Sequence, residues 1–141
     1  DVIDAGPDEQ DRLLSQWCFK DRGAPVWHLD EPLDRLSRLI DEWPRVCLGS
    51  AGAYAAIGTV RWHNRMVAVF NLVSKRSRLP WLHGLRMQGV QGYPFGSVDS
   101  ADIARNKSRP GKVVEWMAER WDKKQPPLRW EGRPEQEELI A

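Results

Sequence analysis

The sequence predicts an α/β protein built from parallel strand–helix units. Short apolar runs rich in β-forming residues alternate with amphipathic stretches, and the alternation repeats roughly every 20 residues. The chain of 141 residues has the size of one compact domain. Because parallel neighbours need a crossover that usually contains a helix, this pattern favours consecutive βα units. About five strands are predicted, which suits a partial, truncated TIM-barrel-like sheet or, alternatively, an open doubly wound sheet.

The first half of the chain is predicted to contain three strands separated by two helices. The strands are expected at Asp1–Ala5, Ala24–His28 and Arg45–Gly49. Pro7 suits the first turn of a helix, and the acidic residues after it favour that end of the helix dipole, so a helix is expected through about residue 19. Pro32 similarly opens a second helix, which should end before Pro44.

The second half continues the alternation and then becomes irregular. Thr59 can cap a helix, and strands are predicted at Trp81–Arg86 and Gly96–Asp99. A last helix should begin at 108–110, beside Pro110. Residues 1–122 are therefore expected to form one α/β domain. Residues 123–141 are expected to be irregular, Pro-rich at first and then an acidic tail.

Charge and cysteine content narrow the classes of function. The net charge of +1 hides an asymmetry, since residues 1–60 hold 6 Lys+Arg and 11 Asp+Glu while residues 61–141 hold 15 and 9. The basic half can supply a phosphate-facing surface if its charges share a face, and a solvated basic surface is the alternative. No apolar run approaches the roughly 20 residues of a membrane span, so no membrane partner is expected. Two cysteines suit a reducing cytosol, which predicts a cytoplasmic location.

Polar residues cluster where the predicted strands end. Ligands of parallel α/β proteins bind at the carboxyl ends of the strands. The residues expected at this edge are Asp1 or Asp4, His28, Gly49 and Ser50, His83 and Gly84, and Asp99. Each has a structural alternative: Asp4 can cap a helix, Asp99 can form a turn, and His28 can be a hydrogen-bonded structural histidine. Their convergence on one edge nevertheless predicts a substrate site there.

Several common motifs are absent, which limits the chemistry. The sequence contains no G-x-x-x-x-G-K-[ST], G-x-G-x-x-G or G-x-S-x-G. His63 and His83 do not stand at metal-ligand spacing with the cysteines, so neither a metal nor another cofactor is expected. Five tryptophans fall on predicted helix faces and are expected to pack in the core: Trp17, Trp43, Trp62, Trp116 and Trp121.

Four segments carry a resemblance to a known family. They are Val46–Tyr54 (VCLGSAGAY), Gly58-Thr59 with Trp62-His63 and Arg65-Met66, Trp81–Met87 (WLHGLRM), and Tyr93–Ser100 (YPFGSVDS), the last followed by Ala104-Arg105-Asn106. Over about residues 1–122 the chain resembles the DNA-deazapurine transglycosylases of phages and bacteria. That family is similar to the queuine tRNA-ribosyltransferases, barrel enzymes that exchange a guanine for a 7-deazaguanine without breaking the strand.

The resemblance implies roles for particular residues. Asp99 matches the aspartate that attacks the sugar and holds it covalently, and Gly49 and Ser50 match the loop that approaches the base. Asp1 or Asp4 matches the aspartate that reads the guanine edge. The basic residues expected to follow the phosphates are Arg86, Arg105, Lys107 and Arg109. A carboxylate nucleophile suits an oxocarbenium-like centre, as in retaining glycosidases.

The implied partners are DNA, with RNA left open, and a 7-deazaguanine base. A preceding segment or a partner chain would complete the barrel. Asp102 is a second carboxylate that can compete with Asp99 for the nucleophile's role. Two further functions stay open: a non-catalytic nucleic-acid-binding or interaction domain derived from such an enzyme, and an unrelated sugar-processing enzyme that uses Asp4, His28 and Asp99.

Overall fold

The computed structural model describes residues 5–90 and 92–133, which contain a four-stranded parallel sheet with helices. The strands are β1 (Val26–His28), β2 (Arg45–Gly49), β3 (Trp81–Gly84) and β4 (Ser97–Val98). Their order in the sheet follows their order in the chain, and every neighbouring pair is parallel. This confirms the prediction of parallel βα units. The strand predicted at Asp1–Ala5 involves residues 1–4, which lie outside the described residues.

Five α-helices accompany the sheet in the described residues. They are α1 (Pro7–Ser15), α2 (Leu33–Glu42), α3 (Val60–Val73), α4 (Asp102–Asn106) and α5 (Val114–Asp122). The Thr59 hydroxyl accepts the N–H of Trp62 at 3.3 Å, so the predicted cap of α3 is confirmed. The predicted start of the last helix, at 108–110, was wrong, because the last helix begins at Val114. The short α4 forms first, and Gly111 with φ of 75° separates it from α5.

One face of the sheet is buried under helices. Alternate residues of a strand point to opposite faces, so the register defines rows of side chains across the sheet. One such row is Trp27, Leu48, Gly84 and Val98. Trp27 and Leu48 are fully buried among residues of α2 and α3, including Leu36 and Phe70. The hydrophobic core therefore lies on this helical side of the sheet.

The opposite face of the sheet is left partly open by the described residues. Its central row consists of Val26, Cys47, His83 and Ser97, which lie side by side and are all only half-buried. Arg45 and Trp81, at the start of the next row, are exposed. Parallel sheets are usually covered on both faces, so this partly open face is unusual. Because it is open, the polar side chains of the row are accessible to a ligand.

The segment after α5 packs on the core although it is irregular. Residues 123–133 contain no helix or strand. Trp130 nevertheless stacks on Tyr93 with ring centroids 5.6 Å apart, and its indole N–H donates to Asn71 Oδ1 at 2.7 Å. Aromatic packing and this hydrogen bond together hold the segment against α3.

The tryptophan prediction was right only in part. Trp43 and Trp62 are buried, but Trp17 is 49% exposed and Trp116 is 68% exposed. Trp17 lies beyond the end of α1, which stops at Ser15 rather than near residue 19, so the helical spacing no longer applies to it. Among the described residues, no helix has the length and apolar character needed to cross a membrane.

Candidate active site

The carboxyl ends of β3 and β4 meet at Asp99. The Asp99 N–H donates to the Gly84 carbonyl at 3.2 Å, and the Asp99 carbonyl accepts the N–H of Gln88 at 3.1 Å. These two bonds hold the backbone of Asp99 against the loop that follows β3. A carboxylate on a backbone held from both sides has a defined position at the edge of the sheet.

The Asp99 carboxylate has one oxygen held and one oxygen less constrained. Its Oδ1 accepts the backbone N–H of Arg86, whose φ of 59° is the left-handed conformation. This conformation is uncommon outside glycine, and it directs the N–H toward the carboxylate. Oδ2 lies 3.7 Å from His83 Nε2, and the Asp99 side chain is 53% exposed. The carboxylate is therefore fixed through Oδ1 and open to a ligand.

His83 is held in place by a residue that sequence reasoning missed. Its Nδ1 lies 2.8 Å from the hydroxyl of Ser97, which also lies 3.4 Å from the indole nitrogen of Trp81. Ser97 stands two residues before Asp99, and this spacing places the two on one face of an extended chain. That signal was available in the sequence. Ser97 thus orients the imidazole whose other nitrogen faces Asp99.

Cys47 is the second group that sequence reasoning did not place in the site. It pairs in register with His83 and is half-buried on the open face. Burial raises the pKa of the Cys47 thiol, and the negative charge of Asp99 raises it further. The thiol is consequently kept neutral beside Asp99.

Gly49 and Ser50 lie at the carboxyl end of β2, and they contact other residues of the chain. The Ser50 hydroxyl accepts the indole N–H of Trp62 at 2.9 Å. A Cβ at position 49 would lie 2.9 Å from His28 Cδ2, so glycine permits the close approach of the imidazole. His28 Nδ1 in turn lies 3.4 Å from Glu31 Oε1. The structure therefore places His28 against Glu31 and Gly49, and it places His83 against Asp99.

Asp102, the competing carboxylate, is occupied by its own neighbours. It accepts hydrogen bonds from the Trp121 indole at 3.0 Å, from Asn106 at 2.7 Å and from Arg120 at 2.8 Å. The bond from Trp121 contributes most to a pKa below the ordinary range for Asp102, with Asn106 and Arg120 adding to it. Asp102 links α4 to α5, which disfavours it as the nucleophile. Asp1 and Asp4 lie outside the described residues.

The basic half of the chain divides into internal and exposed groups. Arg65 donates to the Leu29 carbonyl at 2.6 Å, and Arg76 donates to Asp41 at 2.9 Å, so both guanidinium groups bind other residues of this chain. The four predicted phosphate ligands are exposed and follow β3 or β4: Arg86, Arg105, Lys107 and Arg109. All four follow the carboxyl end of β3 or β4 along the chain, and this edge of the sheet carries Asp99. This order along the chain agrees with a basic surface beside the site.

No group of three or more His, Cys, Asp or Glu side chains suited to a metal ion occurs in residues 5–90 and 92–133. Comparison of the chain with protein-family models, with curated proteins and with solved structures finds no match.

Proposed function

We propose that this chain carries the catalytic face of a nucleobase transglycosylase that exchanges guanine in DNA for a 7-deazaguanine. The observation that carries the proposal is the setting of Asp99. Its carboxylate is anchored by a backbone N–H, accessible, and adjacent to an oriented imidazole. A nucleophile held in one geometry lowers the entropic cost of reaching the reacting carbon.

The proposed reaction consists of two displacements at the sugar. Asp99 Oδ2 attacks the anomeric carbon as the bond from that carbon to guanine N9 breaks, and the bonding electrons leave with guanine, which takes up a proton. N9 of the incoming base then attacks the same carbon, releases the carboxylate and loses its proton. No strand bond breaks in either step, and the glycosyl ester is the intermediate, as in retaining glycosidases.

Two features of the sheet support a barrel setting for this chemistry. The strand order follows the chain order, which is the arrangement within a parallel barrel. The open face presents His83 and Ser97 where a barrel would have its interior. We propose that further strands, from a preceding segment or a partner chain, cover this face.

Base exchange in labelled DNA tests the proposal. The protein is mixed with duplex or single-stranded DNA that carries radiolabelled guanine, together with a 7-deazaguanine, and released guanine is counted. Asp99→Asn should abolish release, whereas Asp102→Asn should retain it. A covalent protein–DNA band on a denaturing gel should appear with the wild type and be absent from Asp99→Asn. An RNA of the same sequence tests the alternative polymer.

Two outcomes would contradict the proposal. Release of guanine by Asp99→Asn would overturn the assignment of the nucleophile. Salt-sensitive binding of DNA by the wild type, with neither exchange nor a covalent band, would instead indicate a binding domain without catalysis.

A further inference from the structure

A groove of about 580 Å³ lies at the edge of the sheet opposite to Asp99. It is lined by residues at the beginnings of β2, β3 and β4 and by the segment after α5. Its walls include Pro126, Pro127 and the 94% exposed Leu128. The groove therefore forms a second concave surface at the amino ends of the strands, and Ser97, which contacts both Trp81 and His83, lies between it and the candidate active site.

The charged residues that line this groove are basic in the described part of the chain. They are Arg45, Arg76 and Arg78, and no carboxylate of residues 5–90 or 92–133 lines it. Arg76 is bound to Asp41 at 2.9 Å, but the guanidinium groups of Arg45 and Arg78 are exposed and make no hydrogen bond or ion pair within the described part of the chain. Two unpaired arginines on one concave surface favour an anionic ligand.

Trp81 supplies a flat and preorganised aromatic surface in the same groove. A Cβ at Gly96 would lie 2.7 Å from Trp81 Cδ2, so the indole packs directly on the glycine backbone. The indole nitrogen lies 3.4 Å from the Ser97 hydroxyl, which fixes the orientation of the ring. The side chain is still 52% exposed. Little further side-chain entropy is lost when a ligand stacks on the exposed part of the ring.

We propose that this groove binds a short segment of single-stranded nucleic acid. An aromatic platform within a basic groove is the combination by which proteins hold single strands without reading their sequence. One base would stack on Trp81, and the adjoining phosphates would pair with Arg45 and Arg78. An acidic peptide would satisfy the arginines but would leave the indole unused. Because the groove does not include Asp99, this proposal stands independently of base exchange.

Indole N–H signals of protein labelled with ¹⁵N-tryptophan provide the test. The signal of Trp81 is assigned from its loss in Trp81→Phe, and the protein is titrated with the tetranucleotide dT4. We expect the Trp81 signal to shift and saturate, while the signal of exposed Trp116 on α5 stays in place. Arg45→Gln with Arg78→Gln should weaken dT4 binding by about tenfold or more, since two phosphate contacts are lost.

Matched variants separate this groove from other sites. Arg12→Gln with Arg22→Gln removes the same charge from exposed positions near α1, and it should change the affinity by less than about twofold. Asp99→Asn, and Arg105→Gln with Arg109→Gln, should leave the Trp81 shift unchanged. If these variants abolish the shift, the dT4 lies at the candidate active site and the groove proposal fails.

Two further results would overturn the proposal. The first is a Trp81 signal that does not move with dT4. The second is a tetraglutamate peptide that produces the same shift with the same affinity, which would assign the groove to acidic peptides. Loss of base exchange in Asp99→Asn has no bearing on either result, so the two proposals can fail separately.

Discussion

The left-handed turn at Arg86 should control the position of Asp99, the proposed nucleophile, through its backbone rather than through its side chain. Arg86→Gly removes the guanidinium but allows φ of 59° without strain. Arg86→Val also removes the guanidinium, but a β-branched residue tolerates a positive φ less well than arginine does. The two variants therefore lose the same charge and differ only in how well the backbone holds its N–H toward Asp99.

The magnitudes follow from the bond that Arg86 makes. A hydrogen bond to a charged group contributes about 1.5–3 kcal/mol, and about 1.4 kcal/mol corresponds to a tenfold change in rate. We expect Arg86→Gly to keep kcat within about threefold, because strain relief offsets the entropy lost by glycine. We expect Arg86→Val to have a lower unfolding free energy than both the wild type and Arg86→Gly, and to lose about tenfold or more in kcat if the bond to Asp99 is weakened.

Chemical denaturation and single-turnover release of labelled guanine measure these quantities on the same preparations. Both variants should raise KM and weaken its salt dependence equally, since both lack the guanidinium. Equal kcat in Arg86→Gly and Arg86→Val would refute the role of the turn. A large loss of kcat in folded Arg86→Gly would show that the side chain acts directly in the reaction.

Three further predictions concern stability. Gly84→Ala should lose about 1–3 kcal/mol in a denaturant titration, because a Cβ there lies 3.0 Å from Met87, whereas Gly89→Ala has open space and should match the wild type. Burial lowers the pKa of His63, so the unfolded chain binds more protons than the folded chain does. The unfolding free energy should therefore fall as pH drops below about 6.5. His63→Gln should flatten this dependence between pH 7 and pH 5. Asp102→Asn should reduce the unfolding free energy at pH 7, where the carboxylate is charged, and this difference from the wild type should shrink on acidification below about pH 4.

Local patterns determined much of the fold. β2 occupies the predicted Arg45–Gly49, and the capping role of Thr59 is the predicted one, because both depend on neighbouring residues along the chain. The alternation of strands and helices also indicated parallel pairing, since the crossovers from β1 to β2 and from β2 to β3 contain α2 and α3 in the expected places. Asp99 follows a strand for the same local reason.

Chain direction alone could not determine which side chains meet at the sheet edge. Both His28 and His83 were expected at the carboxyl edge of the sheet, yet of the two it is His83 that lies beside Asp99, because β3 and β4 are neighbours in the sheet. The hydrogen bond from Arg86 to Asp99 was likewise not predicted, since the backbone N–H of Arg86 makes it and its direction depends on φ.

Composition determined that the second half of the chain is basic, and tertiary structure decided what each charge does. Arg65 donates to a backbone carbonyl and Arg76 pairs with Asp41, whereas Arg45 and Arg78 line a groove with Trp81. The physical reason is that periodicity records which residues avoid water, while the partner of a polar group depends on register and loop conformation. Sequence thus predicted the parallel α/β framework and pointed to Asp99 as a candidate, and packing selected the groups that surround this carboxylate.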